Sequence, residues 1–373
     1  MGVTRYVVCV AVLAAPAVFS GCGVDVPGMP DGRAALVVTV ADTSGYLAGG
    51  VPGERYLVDS AEVRIESRTH IFTAVQMTGP EGVVTFDHLP TGIYTIFATR
   101  TVKLGSANKV FTGGYKVEMQ GEVTVVDTVD VKLVASSELM INEIFYMGSC
   151  ASMFYMYDVF VELVNTSDDT LYLDGMLVMR AYNGKDPELE TAPYVKGTYA
   201  YQFPGTPVTG REVPICPKQL IVIASDATNH AQFCPNSIDL RTADWEMFNA
   251  IGHDFDNPAV RNLNNIIPSK SADFLLGMGH NGVFLTRGDE YTIDTEDKVR
   301  VPIENVIDGV EYNANPQFSK EITVRVDAGF AGVGLLKYSG MSIERREFGL
   351  DTNDSTFDFT NLSRPTPGWF HTQ

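Results

Sequence analysis

The stretch EGVVTFDHLPTGIYTIFATR, Glu81 to Arg100, restricts the fold of this chain more than any other. β-Branched and aromatic residues alternate on either side of a Leu-Pro-Thr-Gly turn, a period of two that suits a half-buried strand and not a helix. Pro90 and Gly92 supply turn chemistry, so the stretch reads as the two strands of a hairpin. The same period recurs in AALVVTVAD around Ala35, in AEVRIES (Ala61–Ser67) and in EVTVVDTVDVKLV (Glu122–Val134). In the second of these, Val63 and Ile65 share one face and Arg64 and Glu66 the other. These strands predict a sandwich-sized first domain over 35–135. There is no internal repeat and no sustained amphipathic helix; TADWEMFNAIG is at most a short one.

A second β unit is expected over 136–373. It opens with LMINEIFYMGSC, continues through DVFVELVNTSDDTLYLDGMLV (Asp158–Val178), and closes with GVFLTRGD, NVIDGVEYNAN and GMSIERREFGLDTNDSTFDFTNLSRPTPG. Val159, Val161 and Leu163 alternate with Phe160, Glu162 and Val164. The expected fold class is therefore all-β, with two β-sandwich domains and a long insertion in the second, at about 180–269. A chain of 373 residues is long enough for both cores. Its formal net charge of −19 argues against a nucleic-acid partner, because phosphate binding needs clustered Lys and Arg.

Thr78–Ala98, TGPEGVVTFDHLPTGIYTIFA, resembles the carboxypeptidase regulatory-like domain, a transthyretin-like sandwich with a Gly-strand-Leu-Pro-x-Gly-x-Tyr pattern. The resemblance covers about 33–135 and implies an accessory module without peptidase activity. The ordered segments INEI, FVELVN, LYLDGMLV, VIDGVEY and SIERR…DTNDSTFDF…PTPG resemble the lamin tail domain, an immunoglobulin-like β-fold. That resemblance implies an Asx-rich turn, a strand through Phe357 and Phe359, and a sheet ended by Pro365 and Pro367. Between them, CPKQLIVIASDATNHAQFCPNSIDLRTADWEMF is similar to a Bacteroidota lipoprotein family of unknown function in which both modules occur in this order.

The N-terminus addresses location. Arg5 precedes the apolar run Tyr6–Phe19, which is shorter than the about 20 residues a spanning helix needs. The run leads into FSGC, which resembles a bacterial lipobox and implies a signal peptide over 1–21, lipidation of Cys22 and a Pro/Gly tether over 22–34. Acyl chains on Cys22 would hold the protein on a membrane. The expected location is the cell envelope, on an outer-membrane face left open.

Cys9 leaves with the signal, so Cys150, Cys216 and Cys234 remain beside Cys22. An oxidising compartment predicts one disulfide with a thiol left over. Cys216–Cys234 brackets one strand-plus-loop unit and is the preferred pair, with Cys150 bonded to either as the rival. The spacings match no zinc pattern.

Other chemistry is thin. GHDFDNP (Gly252–Pro258) brings His253, Asp254 and Asp256 together, a set that suits a divalent ion, yet Asp and Asn in such loops ordinarily bond nearby backbone. Met140, Met147, Met153, Met156, Met176 and Met179 surround Cys150 as a copper site would require, and equally as core filler would. Asp351-x-Asn353-x-Ser355 starts like an EF-hand loop, but Thr356 stands where Gly is needed and Leu362 where Glu is needed. Glu143 and Glu162 fall in strand patterns that alternation explains. No nucleophile elbow or P-loop occurs. No catalytic residue, metal site or cofactor is therefore expected.

Tyr182–Gly205 is rich in Tyr with interspersed Lys and Glu, which suits a contact surface and equally a covered sandwich edge. The expected function is that of a non-catalytic envelope lipoprotein binding an envelope protein, a TonB-dependent transporter being one such partner. A structural or adhesive surface protein, and a metal- or ligand-capturing one, are the alternatives.

Overall fold

The computed structural model describes residues 32–372, apart from 44–46, 48–54, 68–69, 71, 105–106, 122, 134–136, 154, 185, 187, 270–272 and 316–319. The stretch read as a signal peptide, Cys22 and most of the stretch read as a tether lie outside the described residues. Secondary structure is almost entirely strand, and the architecture is all-β. Among the described residues no helix is long and apolar enough to cross a membrane.

The first sandwich pairs two sheets. In one, Ala34–Asp42 lies between antiparallel Val83–Leu89 and parallel Thr124–Asp130. The other runs Phe72–Met77, Glu62–Ser67, Gly92–Leu104, Ala107–Met119 and Lys132–Leu133. Leu36, Val38, Val40, Val63, Ile65, Phe86 and Ile96 meet between them, each from the inward set of its strand. The two strands flanking the Leu-Pro-Thr-Gly turn both form, but they do not pair as a hairpin. Val83–Leu89 joins the first sheet and Gly92–Leu104 the second. The turn is a corner between sheets. Gly92 takes φ 154°, in the range that favours glycine, and buried Tyr94 donates its hydroxyl back to the Pro90 carbonyl at 2.8 Å. Such a tyrosine tie fixes a strand that changes sheet.

The second sandwich packs two larger sheets. One is ordered Arg261–Asn262, Trp245–Glu246, Leu220–Ala224, Phe160–Asn165, Leu139–Phe145, Ser342–Arg345, Phe359–Leu362. The other is ordered Thr292–Ile293, Val299–Pro302, Tyr194–Gln202, Leu177–Ala181, His280–Thr286, Val306–Asn313. Val161, Leu163, Ile221 and Ile223 of the first face Val178, Val283, Leu285 and Val310 of the second. Tyr146 and Tyr312 stack at 3.6 Å between ring centres in the same core. The stretch 180–269 is woven in, giving Tyr194–Gln202 to one sheet and Leu220–Ala224 and Trp245–Glu246 to the other. Trp245 thus sits in a strand and not in the short helix its surroundings suggested; its indole fills the core against Phe203 at 5.3 Å.

Phe357 also departs from expectation. Asp354 caps Ser355–Asp358 by accepting from the Thr356 N–H, and this makes a single helical turn before the strand Phe359–Leu362. The turn docks on the first sandwich. Arg64, buried in its strand, pairs with Asp354 and lies 4.7 Å from the Phe357 ring centre. Lys116 and Glu190 add an ion pair of 3.1 Å between the two halves.

The disulfide joins Cys150 to Cys234, and Cys216 is a free, exposed thiol. The expected Cys216–Cys234 bridge is thus corrected to the rival pairing. The strand Leu220–Ala224 carries the chain from the Asn165 end of its neighbour to the Phe160 end. Cys216 stays at the first end, where its carbonyl accepts from Asn165. Cys234 ends at the other, beside Cys150, with Cα atoms 5.9 Å apart. The bond closes a loop of sequence separation 84, worth about 4 kcal/mol in the chain-entropy view. Cys234→Ser is expected to lower the melting temperature by roughly 10 °C, whereas Cys216→Ser should leave it unchanged. A thermal scan checks both, and equal losses would contradict the pairing.

Candidate binding site

On the side of the second sheet that carries Val178 and Tyr201, Tyr182, Tyr194 and Tyr199 lie among Arg180, Lys196, Lys298 and Arg300, and Tyr199 packs against the edge of the inter-sheet core. Their backbones belong to or border the neighbouring strands Leu177–Ala181, Tyr194–Gln202 and Val299–Pro302. A β-bulge builds the centre. Met179 pairs with Ala200 and Arg180 with Thr198, which leaves Tyr199 as the extra residue, at φ 47°. A bulge re-aims the side chain it carries. Here Thr198 and Tyr199 are both half-buried and both line one open depression with Arg180, Glu296 and Lys298.

The cations sit against the rings. Arg180 lies 4.1 Å from the centre of Tyr199, Lys298 4.3 Å from Tyr182, and Arg300 5.0 Å from Tyr194. Carboxylates balance them, with Lys196 at 2.8 Å from Asp186 and Arg300 at 3.0 Å from Asp294. Arg180 is also held by the Leu275 carbonyl at 2.8 Å, and burial lowers its pKa. The result is a near-neutral, amphipathic surface of Tyr, Arg and Lys. Tyr182–Gly205 therefore combines both expectations, an internal strand of which Tyr194, Lys196, Thr198 and Tyr199 remain partly accessible.

Two carboxylate clusters elsewhere were not legible in the sequence. In the first, Glu143, Glu162 and Glu344 come together on the outer side of the first sheet, fully buried. A bulge causes it: Ile141 pairs with Leu163 and Glu143 with Glu162, so Asn142 is the extra residue. Its amide donates to Glu162 at 2.7 Å and to Glu344 at 3.2 Å. The C-terminal PTPGWFH segment then straps the cluster. Thr366 N–H donates to both Glu143 oxygens at 3.1 Å, Gly368 N–H to Glu162 at 2.5 Å, and the His371 ring and N–H to Glu344. All six oxygens accept at least one hydrogen bond. The second cluster, Asp226, Asp254 and Asp273, has a different character.

The remaining sequence candidates are scattered. His253 and Asp256 are exposed, and Asp256 accepts from Asn262 at 2.9 Å, so the GHDFDNP trio does not converge. Cys150 is oxidised, which removes the thiolate a copper site would use, while Met140, Met147 and Met179 are buried core. Asp351 and Asp358 face the buried guanidinium of Arg345, at 3.5 and 3.8 Å, so a cation already occupies that corner. Cys22 lies outside the described residues.

Fold and surface together define an all-β protein of two sandwiches with a partly exposed amphipathic surface. The family model described as "Protein of unknown function (DUF4876)" matches residues 216–366. Among solved structures, a DUF4876 family protein from Bacteroides thetaiotaomicron VPI-5482 is similar over 91% of this chain and 100% of its own, at 22% identity and a TM-score of 0.54. That likeness shows the fold. A protein described as a carbohydrate-binding candidate from Pseudomonas aeruginosa covers 27% of this chain and 92% of its own, at 15% identity and a TM-score of 0.20, a level that carries no argument. No curated protein matches.

Proposed function

We propose that this chain is a non-catalytic lipoprotein of the cell envelope, anchored through Cys22, that works by binding a protein partner. The amphipathic face around Tyr199 carries this reading. Tyr and Arg are the residues most enriched at protein contacts, because each offers large area and hydrogen bonds at low entropic cost. The face needs no rearrangement to be reached, since Tyr182, Tyr194 and Tyr199 are only half-buried. The clustered glutamates offer no competing catalytic reading, because every oxygen is already engaged, by Asn142 or by the C-terminal strap. The two sandwiches are read as a carboxypeptidase regulatory-like and a lamin tail-like module, and a TonB-dependent transporter is the partner class that fits an outer-membrane accessory.

Affinity capture from native envelopes tests this. The wild-type chain should retain an outer-membrane protein that Tyr194→Ala combined with Lys298→Glu no longer retains. Cys22→Ala should move the chain from the membrane to the soluble fraction. Membrane retention of Cys22→Ala would overturn the anchor. Capture unaffected by the double variant would overturn the face, and absence of any envelope protein would favour an adhesive role instead.

A further inference from the structure

Asp226, Asp254 and Asp273 arrive from three separate loops at one end of the first large sheet. Asp226 follows the strand Leu220–Ala224, Asp254 lies between Trp245–Glu246 and Arg261–Asn262, and Asp273 precedes His280–Thr286. One oxygen from each lies within 4.8 Å of the other two. The loops are pinned to one another. The Ser225 hydroxyl donates to the Phe274 carbonyl at 3.2 Å, and buried Glu246 accepts from Ala227 N–H at 2.5 Å and Asn257 N–H at 2.8 Å. Asn257 returns a bond to the Ala227 carbonyl at 2.8 Å, and Asn249 both donates to Asp254 at 2.7 Å and holds the Pro268 carbonyl at 2.9 Å. Supports of this kind orient ligands around a metal and are themselves part of its site.

The contrast with the glutamate cluster is decisive. There every oxygen is engaged. Here Asp226 is only 8% exposed and its Oδ1 accepts no hydrogen bond. A buried acceptor left without a partner costs about 1–3 kcal/mol, and more when it is charged. Among the described residues neither Asp226 nor Asp254 is in an ion pair.

We propose that Asp226, Asp254 and Asp273 form a calcium site that ties these three loops together. The donor set is all carboxylate oxygen, the choice of a hard cation. Three protein carboxylates favour Ca²⁺ over Mg²⁺, which keeps several of its waters and is usually held by one or two carboxylates. Asp254 and Asp273 are half-buried, so water reaches the positions the protein leaves open. Asp254 was visible in GHDFDNP, but its partners come from Asp226 and Asp273 and not from His253 and Asp256.

The test uses the purified protein stripped with EGTA and then titrated with calcium chloride. At 1 mM calcium the melting temperature should rise by about 5 °C, with one calcium bound per chain by elemental analysis and a smaller response to magnesium. Asp226→Asn and Asp254→Asn should each abolish the calcium response while melting no lower than the wild type in EGTA, since each removes a repelling charge. Asp256→Ala, outside the cluster, should keep the response. A wild-type chain that binds no calcium at 1 mM overturns the proposal. So does an undiminished response in both Asp→Asn variants.

Discussion

Ending the chain at Ser363 is expected to lower the melting temperature of the second sandwich by about 15 °C. The segment removed supplies the Thr366, Gly368 and His371 donors to three buried carboxylates. Losing a donor to a buried group costs about 1–3 kcal/mol, and a buried charge left uncompensated costs about 3–5 kcal/mol. Phe370, now packed edge-on against Phe348 at 5.5 Å, is lost as well, for about 2 kcal/mol more. Calorimetry on the shortened chain checks this, and a fall of less than about 3 °C would show that the strap is not structural.

The same cluster gives the response to pH a sign. Burial, the first cause, and the neighbouring Glu344 charge push the Glu143 carboxyl from 4.5 up to about 8. Burial raises Glu162 and Glu344 also. A carboxyl whose folded pKa is raised binds its proton more tightly in the folded state. Its contribution is complete below about pH 4.5 and is lost as pH climbs through about 8. In EGTA the intact chain should therefore melt higher at pH 5.5 than at pH 8.5, and the shortened chain should show a smaller difference. The opposite slope would refute the assignment.

Arg345→Met is expected to cost about 3–5 kcal/mol. The guanidinium is buried, and its Nη2 lies 2.7 Å from Asp308. Nη1 faces Asp351 at 3.5 Å and Asp358 at 3.8 Å, and Nε donates to the Ile141 carbonyl at 2.8 Å. Methionine fills much of the volume but leaves three buried carboxylates facing one another with no cation. Pairing it with Asp308→Asn should recover part of the loss. Denaturant unfolding decides, and a loss below about 1 kcal/mol would mean that the corner is solvated and the charges are worth little.

Much of this was present in local pattern. Alternation of Val161 and Leu163 with Phe160 and Glu162 separated the two faces of this strand, because side-chain direction in a strand is set by the residue's own parity. Asp354 as a helix cap was less legible. An Asx-rich run fits a turn or a cap equally, and the docking of Arg64 on Asp354 belongs to a strand 290 residues away. The glutamates read as ordinary strand residues because the bulge at Asn142 leaves no local signature; it shows only once Leu139–Phe145 is paired with its neighbour.

The sequence by itself determined that the chain is built of strands, where most of them run and which of their side chains turn inward. Those properties depend on residues one to four positions apart. Tertiary structure alone decided that the Leu-Pro-Thr-Gly turn crosses between sheets, that Cys234 meets Cys150, and that the strap reaches Glu143 from 223 residues away. It also decided that Asp226, Asp254 and Asp273 share one point in space. Each of these depends on which strand pairs with which, and strand pairing is fixed by burial across the whole sandwich, not by any single segment.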